Sequence, residues 1–63
     1  MKKEEAGLLS NIGIIETDLS NYQQALEDLN GALEIYRDIG DSVGIYTVYG
    51  SIRAIYLSVS SYE

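Results

Sequence analysis

Apolar side chains recur along the first part of the chain at steps of three and four residues. This spacing is the period of one face of an α-helix, and it predicts a first helix over residues 4 to 18. The positions that carry the pattern are Leu8, Leu9, Ile12, Ile15 and Leu19.

The next segment has the clearest periodicity and predicts a second helix over residues 21 to 39. Asn21, followed three residues later by Gln24, has the form of a capping box. The Asn30-Gly31 pair is a common hairpin signal, but the stripe continues in phase on both sides, so we place it inside the helix. Gly40 suits a left-handed cap at the end of the helix. The stripe is formed by Tyr22, Ala25, Leu26, Leu29, Ala32, Leu33, Tyr36 and Ile39.

The last segment fits two structures. Its spacing favours a third helix over residues 42 to 59, with Asp41 or Ser42 as the N-cap. Its composition disagrees, because residues 45 to 49 are rich in β-branched and aromatic side chains and Gly50 could form the turn of a β-hairpin. The helical stripe would be Ile45, Val48, Tyr49, Ile52, Ile55, Tyr56 and Val59.

An internal repeat favours the helix. Displacing the sequence by forty places aligns residues 19 to 22 (LSNY) with residues 59 to 62 (VSSY), and aligns Ile12 with Ile52 and Ile15 with Ile55. Self-similarity at such a period is typical of arrays of helical hairpins, in which each unit packs against the next. The third helix is then a second copy of the first, and we predict an all-α fold.

The residues resemble one tetratricopeptide repeat of the longer class, with about forty residues per unit. The similarity lies in the runs LSNIG (residues 9 to 13), LSNYQQAL (residues 19 to 26) and ALEIY (residues 32 to 36). It implies a helical pair followed by the first helix of a second pair, about one and a half repeats of an α-solenoid. Gly13, Ala25 and Ala32 are small where helices must approach closely.

Two positions depart from the family pattern. Glu16 stands where the family usually has tyrosine, and Arg53 occupies the place that matches Gly13. An arginine there would collide with a following second helix, so we expect Arg53 to reach solvent.

The composition limits the chemistry. With 4 Lys+Arg against 10 Asp+Glu the formal net charge is -6, which disfavours nucleic acid and anionic membranes as partners. No cysteine or histidine is present, which excludes a thiol site or a hydrolytic triad and removes the usual zinc ligands. The six glycines form no phosphate-binding loop, so we expect no catalytic residues, metal or cofactor, and a protein that is not an enzyme. The absence of cysteine fits a reducing compartment, and we expect a cytoplasmic protein. The acidic residues are spread along the helices as a solvated surface, with no acid pair.

The six tyrosines are interpreted mainly as packing residues. Tyr22, Tyr36, Tyr49 and Tyr56 lie at helical spacing, which favours the core or an interface. Tyr46 and Tyr62 are less constrained and could lie on an exposed binding face.

The family resemblance also implies a function, since the first helix of each pair lines a groove that holds a partner's peptide. On this chain the implied groove residues are Ser10, Asn11, Ile14, Thr17, Thr47, Gly50, Ser51 and Ala54. Asn11 would hydrogen-bond the peptide backbone, or else bond only within its own helix pair. These positions carry no lysine or arginine, so a neutral or basic peptide fits better than an acidic one.

A second hypothesis is self-association. One and a half repeats leave an apolar side of the third helix uncovered, and such patches usually mark an interface. The chain would then form a homo-oligomer or stack on further repeats.

Overall fold

The computed structural model describes residues 1 to 61, and these form three α-helices and no strand. The helices are α1 (Lys2–Asp18), α2 (Tyr22–Ile39) and α3 (Ser42–Ser60). The all-α prediction is confirmed, and the β-hairpin alternative for residues 45 to 59 is wrong. The ends of the helices differ from the predicted ends by no more than two residues. Tyr62 lies outside the described residues.

Residues in the short connections determine where one helix ends and the next begins. Gly40 has φ +72° and takes the left-handed conformation expected of it. Asp41 then accepts a hydrogen bond at 3.0 Å from the backbone N–H of Gly44, which fixes the start of α3. The capping box at Asn21 is wrong, because the Asn21 side chain makes no capping hydrogen bond. The preceding Ser20 instead turns the chain with φ +65°.

Helices α1 and α2 form an antiparallel hairpin that depends on a close approach at Gly13. A Cβ built on Gly13 would lie 2.8 Å from Leu29 Cγ and 3.4 Å from the Ala25 carbonyl oxygen. No larger residue fits there without moving Leu29, which is fully buried. At the other end of the pair, Lys2 Nζ lies 2.7 Å from Asp38 Oδ2.

Helix α2 is the central element, because it packs against both other helices while α1 and α3 barely touch each other. Its contact with α3 begins at Gly44, where the Tyr36 ring occupies the space a Cβ would need. The buried apolar core consists of Ala6, Ala25, Leu29, Ala32, Leu33, Val48 and Ile55. Most of these residues lie on α2, so the core of the fold is built around this helix.

The predicted apolar stripe of α1 is largely exposed. Leu8 is 61% exposed and Ile15 is 57% exposed, and Ile12 and Leu19 also face solvent. The face of α1 that packs on α2 instead carries the small residues Ala6, Ser10 and Gly13. The spacing therefore predicted the helix correctly but not which side of it α2 covers.

The contact between Tyr36 and Gly44 gives a stability prediction. Gly44→Ala should lower the free energy of unfolding by about 1–3 kcal/mol, because the added methyl group overlaps the Tyr36 ring. Gly50→Ala is the matched control in the same helix. A Cβ there meets nothing within 4 Å, and the substitution should stabilise the chain by about 0.5–1 kcal/mol through helix propensity.

Urea unfolding followed by circular dichroism measures both variants. Equal stabilities for the two would mean that α3 does not dock on α2 through Tyr36.

Candidate functional site

An open groove runs between α1 and α3, with α2 behind it. It consists of two shallow depressions that share Ile14, and seven of the eight predicted groove residues line it. These are Ser10, Asn11, Ile14, Thr17, Thr47, Ser51 and Ala54. Positions that lie forty apart in the chain thus come together on one surface.

The wider depression has a volume of about 440 Å³ and lies near the start of both helices. Asn11 is exposed and lines it from α1, and Thr47 lines it from α3. Ser10 is buried, and its Oγ makes no hydrogen bond to any of residues 1 to 61. Tyr36 and Gly44 complete the wall, so the contact that docks α3 on α2 also shapes this part of the groove.

The narrower depression has a volume of about 180 Å³ and lies further along α1. Ile14 and Thr17 line it from α1, and Ser51 and Ala54 line it from α3. Every one of these side chains is uncharged and of small or moderate size. The groove therefore leaves room for a chain of atoms to lie along it, with Ile14 as its central apolar contact.

The threonine hydroxyls determine which hydrogen bonds the groove offers. Thr17 Oγ1 donates to the Gly13 carbonyl oxygen at 2.8 Å, and Thr47 Oγ1 donates to the Val43 carbonyl oxygen at 2.8 Å. Because each hydroxyl proton is used within its own helix, the lone pairs are what remain for a ligand. Both threonines are therefore acceptors toward a ligand N–H.

The charges at the two ends of the groove differ. At the wider end Lys3 Nζ lies 3.7 Å from Asp41 Oδ2, which offsets the only cation lining the groove among residues 1 to 61. At the narrower end Asp18 contributes a carboxylate. The sequence pattern missed Lys3 and Asp41, because they lie in a first turn and a connection where helical periodicity carries no information.

No protein-family model, curated protein or solved structure matches this chain. A function for this chain is therefore inferred from the geometry of the groove and from the internal repeat.

Gly50 is the one predicted groove residue that does not line the groove. It lines a separate depression on the outer side of α3, with Tyr46, Tyr49 and Arg53. Gly50 lies at the border between the two faces of the helix, about 60° around the axis from Thr47 at 100° per residue. Arg53 is exposed, as expected, and belongs to this outer face.

The tyrosines divide between the two sides of the molecule. Tyr22 and Tyr36 pack against the core as predicted. Tyr49 and Tyr56 are exposed, so they do not belong to the core of this chain, and the prediction that they pack at an interface stays a prediction. Tyr46 is exposed as predicted, and Arg37 Nη2 donates to the Tyr49 hydroxyl at 2.6 Å.

Among residues 1 to 61 there is no group of three or more His, Cys, Asp or Glu side chains that could hold a metal ion. Within the same part of the chain, no helix combines the length and the apolar character needed to cross a bilayer.

The structure brings two carboxyl groups together where the sequence predicted only a solvated acidic surface. Glu16 of α1 faces Asp28 of α2, and hydrogen bonding to Asp28 is the main reason that the pKa of Glu16 is raised. Desolvation and the charges of Asp28 and Glu27 add to this effect. The pair lies across the hairpin, so neither helix reveals it by itself.

This raised pKa makes stability depend on pH in a defined direction. Folded Glu16 holds its proton more tightly than the unfolded chain does, so the free energy of unfolding falls as pH rises through and above the ordinary value of 4.5. We expect Glu16→Gln to be more stable than the wild type at pH 7 and similar to it at pH 4.

The urea concentration at the midpoint of unfolding, measured for the wild type and Glu16→Gln at pH 4 and pH 7, tests this prediction. Glu34→Gln is the control for the loss of one exposed negative charge. If Glu16→Gln and the wild type differ equally at both pH values, the Glu16 carboxyl does not face Asp28.

Proposed function

We propose that this chain is a tetratricopeptide-like scaffold of about one and a half repeats that binds a partner protein's peptide in the groove between α1 and α3 and catalyses no reaction. The ligand is a neutral or basic segment, extended or helical. The observation that carries the proposal is the groove itself, where uncharged side chains from two repeat-related helices line one continuous open surface.

The repeat supports the solenoid assignment. Gly13, Ala25 and Ala32 are small in the family pattern, and all three are buried here, where a larger side chain at Gly13 would overlap Leu29. Helix α2 also contacts both α1 and α3, which is compatible with the stacking of one helical hairpin on the next.

The hydrogen-bonding groups indicate the kind of ligand. Thr17 and Thr47 offer acceptors, and Asp18 adds a negative charge at one end. A peptide presents backbone N–H donors, and a basic side chain would lie favourably near Asp18. An acidic peptide would meet a groove whose lysine is already paired, on a chain with a net charge of -6.

Asn11 is the residue best suited to hold a peptide backbone. Its side chain is exposed and hydrogen-bonds none of residues 1 to 61, which argues against the alternative that it serves only its own helix pair. An amide side chain donates and accepts at once, which matches the N–H and C=O groups of a peptide bond.

Binding is tested with an array of short immobilised peptides in two sets, one neutral or basic and one acidic. We expect binding within the first set only. Asn11→Ala should weaken the best peptide by about 3- to 10-fold, corresponding to one lost hydrogen bond of about 0.5–1.5 kcal/mol, without changing thermal stability.

Ile14 and Ile15 provide a matched pair of controls, since they are adjacent, identical and 41% and 57% exposed. Ile14 lines both depressions and Ile15 lines neither. Ile14→Gln should abolish peptide binding and Ile15→Gln should leave it unchanged. Binding that survives Ile14→Gln, or that is confined to acidic peptides, would remove the groove from consideration.

A further inference from the structure

The forty-residue repeat relates the exposed stripe of α1 to a face of α3 that is largely covered, with Val59 at its exposed end. Leu8, Ile12, Ile15 and Leu19 correspond to Val48, Ile52, Ile55 and Val59 in that order.

The two faces share their chemistry but differ in what covers them. Val48 and Ile55 are 0% and 1% exposed, whereas their counterparts Leu8 and Ile15 are 61% and 57% exposed. Since α3 packs mainly on α2, the element that buries Val48 and Ile55 is α2. Within this chain, the corresponding stripe of α3 is therefore covered by a helix that has the apolar spacing of α2.

The start of α1 shows how the helix that covers it must differ from α2. Gly44 corresponds to Glu4, and Ile45 corresponds to Glu5. The Tyr36 ring occupies the space above Gly44, but above α1 the same place is taken by the Glu4 side chain, which is exposed. A tyrosine there would have to displace the Glu4 side chain, whereas a lysine or arginine at that position would meet the Glu4 carboxylate.

Charge also argues against a second copy of this chain as the partner. Glu4, Glu5 and Asp18 surround the stripe and are all exposed, and each copy carries a net charge of -6. Lys2 and Lys3 already lie beside Asp38 and Asp41. The α2 of a second copy is not free either, because its apolar residues are buried between α1 and α3.

We propose that the stripe formed by Leu8, Ile12, Ile15 and Leu19 is a second docking surface, whose partner is an amphipathic helix with the apolar spacing of α2 and a basic residue in place of Tyr36. This surface is independent of the groove. It faces a different side of α1, and Ile15 belongs to it alone.

The test attaches such a helix to the start of the chain. A second copy of residues 21 to 41 replaces Met1 and is joined directly to Lys2. The added helix then precedes α1 through the same connection by which α2 precedes α3. The added copy carries Tyr36→Lys, and matched versions carry the original tyrosine or Tyr36→Glu. Covalent attachment gives a high effective concentration, so even weak docking is measured.

We expect the lysine version to raise the melting temperature and slow amide hydrogen exchange throughout α1, compared with the original chain and with the glutamate version. Ile15→Gln should cancel this gain and Ile14→Gln should keep it. Because Ile14→Gln instead removes groove binding, failure of this inference and failure of the groove are measured separately.

Unchanged exchange in α1 for all three added helices would overturn the inference. A gain that persists in Ile15→Gln, or that is equal for lysine and glutamate, would overturn it as well. Sedimentation of the original chain completes the test: a dimer that dissociates in Ile15→Gln would show that a second copy covers the stripe, against the proposal.

Discussion

The structure depends on the close approach of α2 to the helices on either side of it. On one side the approach requires Gly13, since any Cβ there would overlap Leu29. On the other side it requires Gly44, whose missing side chain makes room for the Tyr36 ring. The chain has no disulfide and no metal site among its described residues, so helix packing must supply its stability.

The groove is a consequence of this arrangement. Because α2 holds α1 and α3 apart, these two helices contact each other little, and the surface between them stays open. The positions of α1 and α3 that face each other therefore do not need to pack closely. They carry uncharged side chains such as Asn11, Thr47 and Ser51. The same Tyr36 that docks α3 also forms part of the groove wall, so stability and the proposed binding surface share one residue.

Periodicity in the sequence predicted the helices, and the resemblance to a helical-repeat family implied the groove residues, most of which line the groove. Apolar spacing indicates where a helix lies, and the forty-residue offset pairs positions such as Asn11 and Ser51. The spacing does not indicate which face of a helix packs against another helix of the same chain. For that reason the spacing of Leu8 and Ile15 predicted the helix without indicating that α2 covers the small residues Ala6 and Gly13 instead.

Other features could not be predicted from the sequence, because they depend on contacts between helices. Glu16 and Asp28 lie on separate helices, and only the docking of α1 on α2 brings their carboxyl groups together. Lys3 reaches Asp41 across the end of the hairpin. Asn21 has the sequence of a helix cap without the hydrogen bond, because the connection turns at Ser20 and sets Asn21 at φ -86° and ψ 65°.

The two outer faces of the molecule are not equivalent. On α1 the face that accepts α2 carries Ala6 and Gly13, and the corresponding positions on α3 are Tyr46 and Arg53. A helix like α2 cannot approach that side of α3 as closely as α2 approaches α1, because even a Cβ added at the position of Gly13 would overlap Leu29. Along the stripe on α1 such an obstruction arises at its start, from the exposed and displaceable Glu4 side chain. In the array proposed for this chain, side-chain volume therefore favours the stripe on α1, and not the face of α3 that carries Tyr46 and Arg53, as the surface on which a further helix packs.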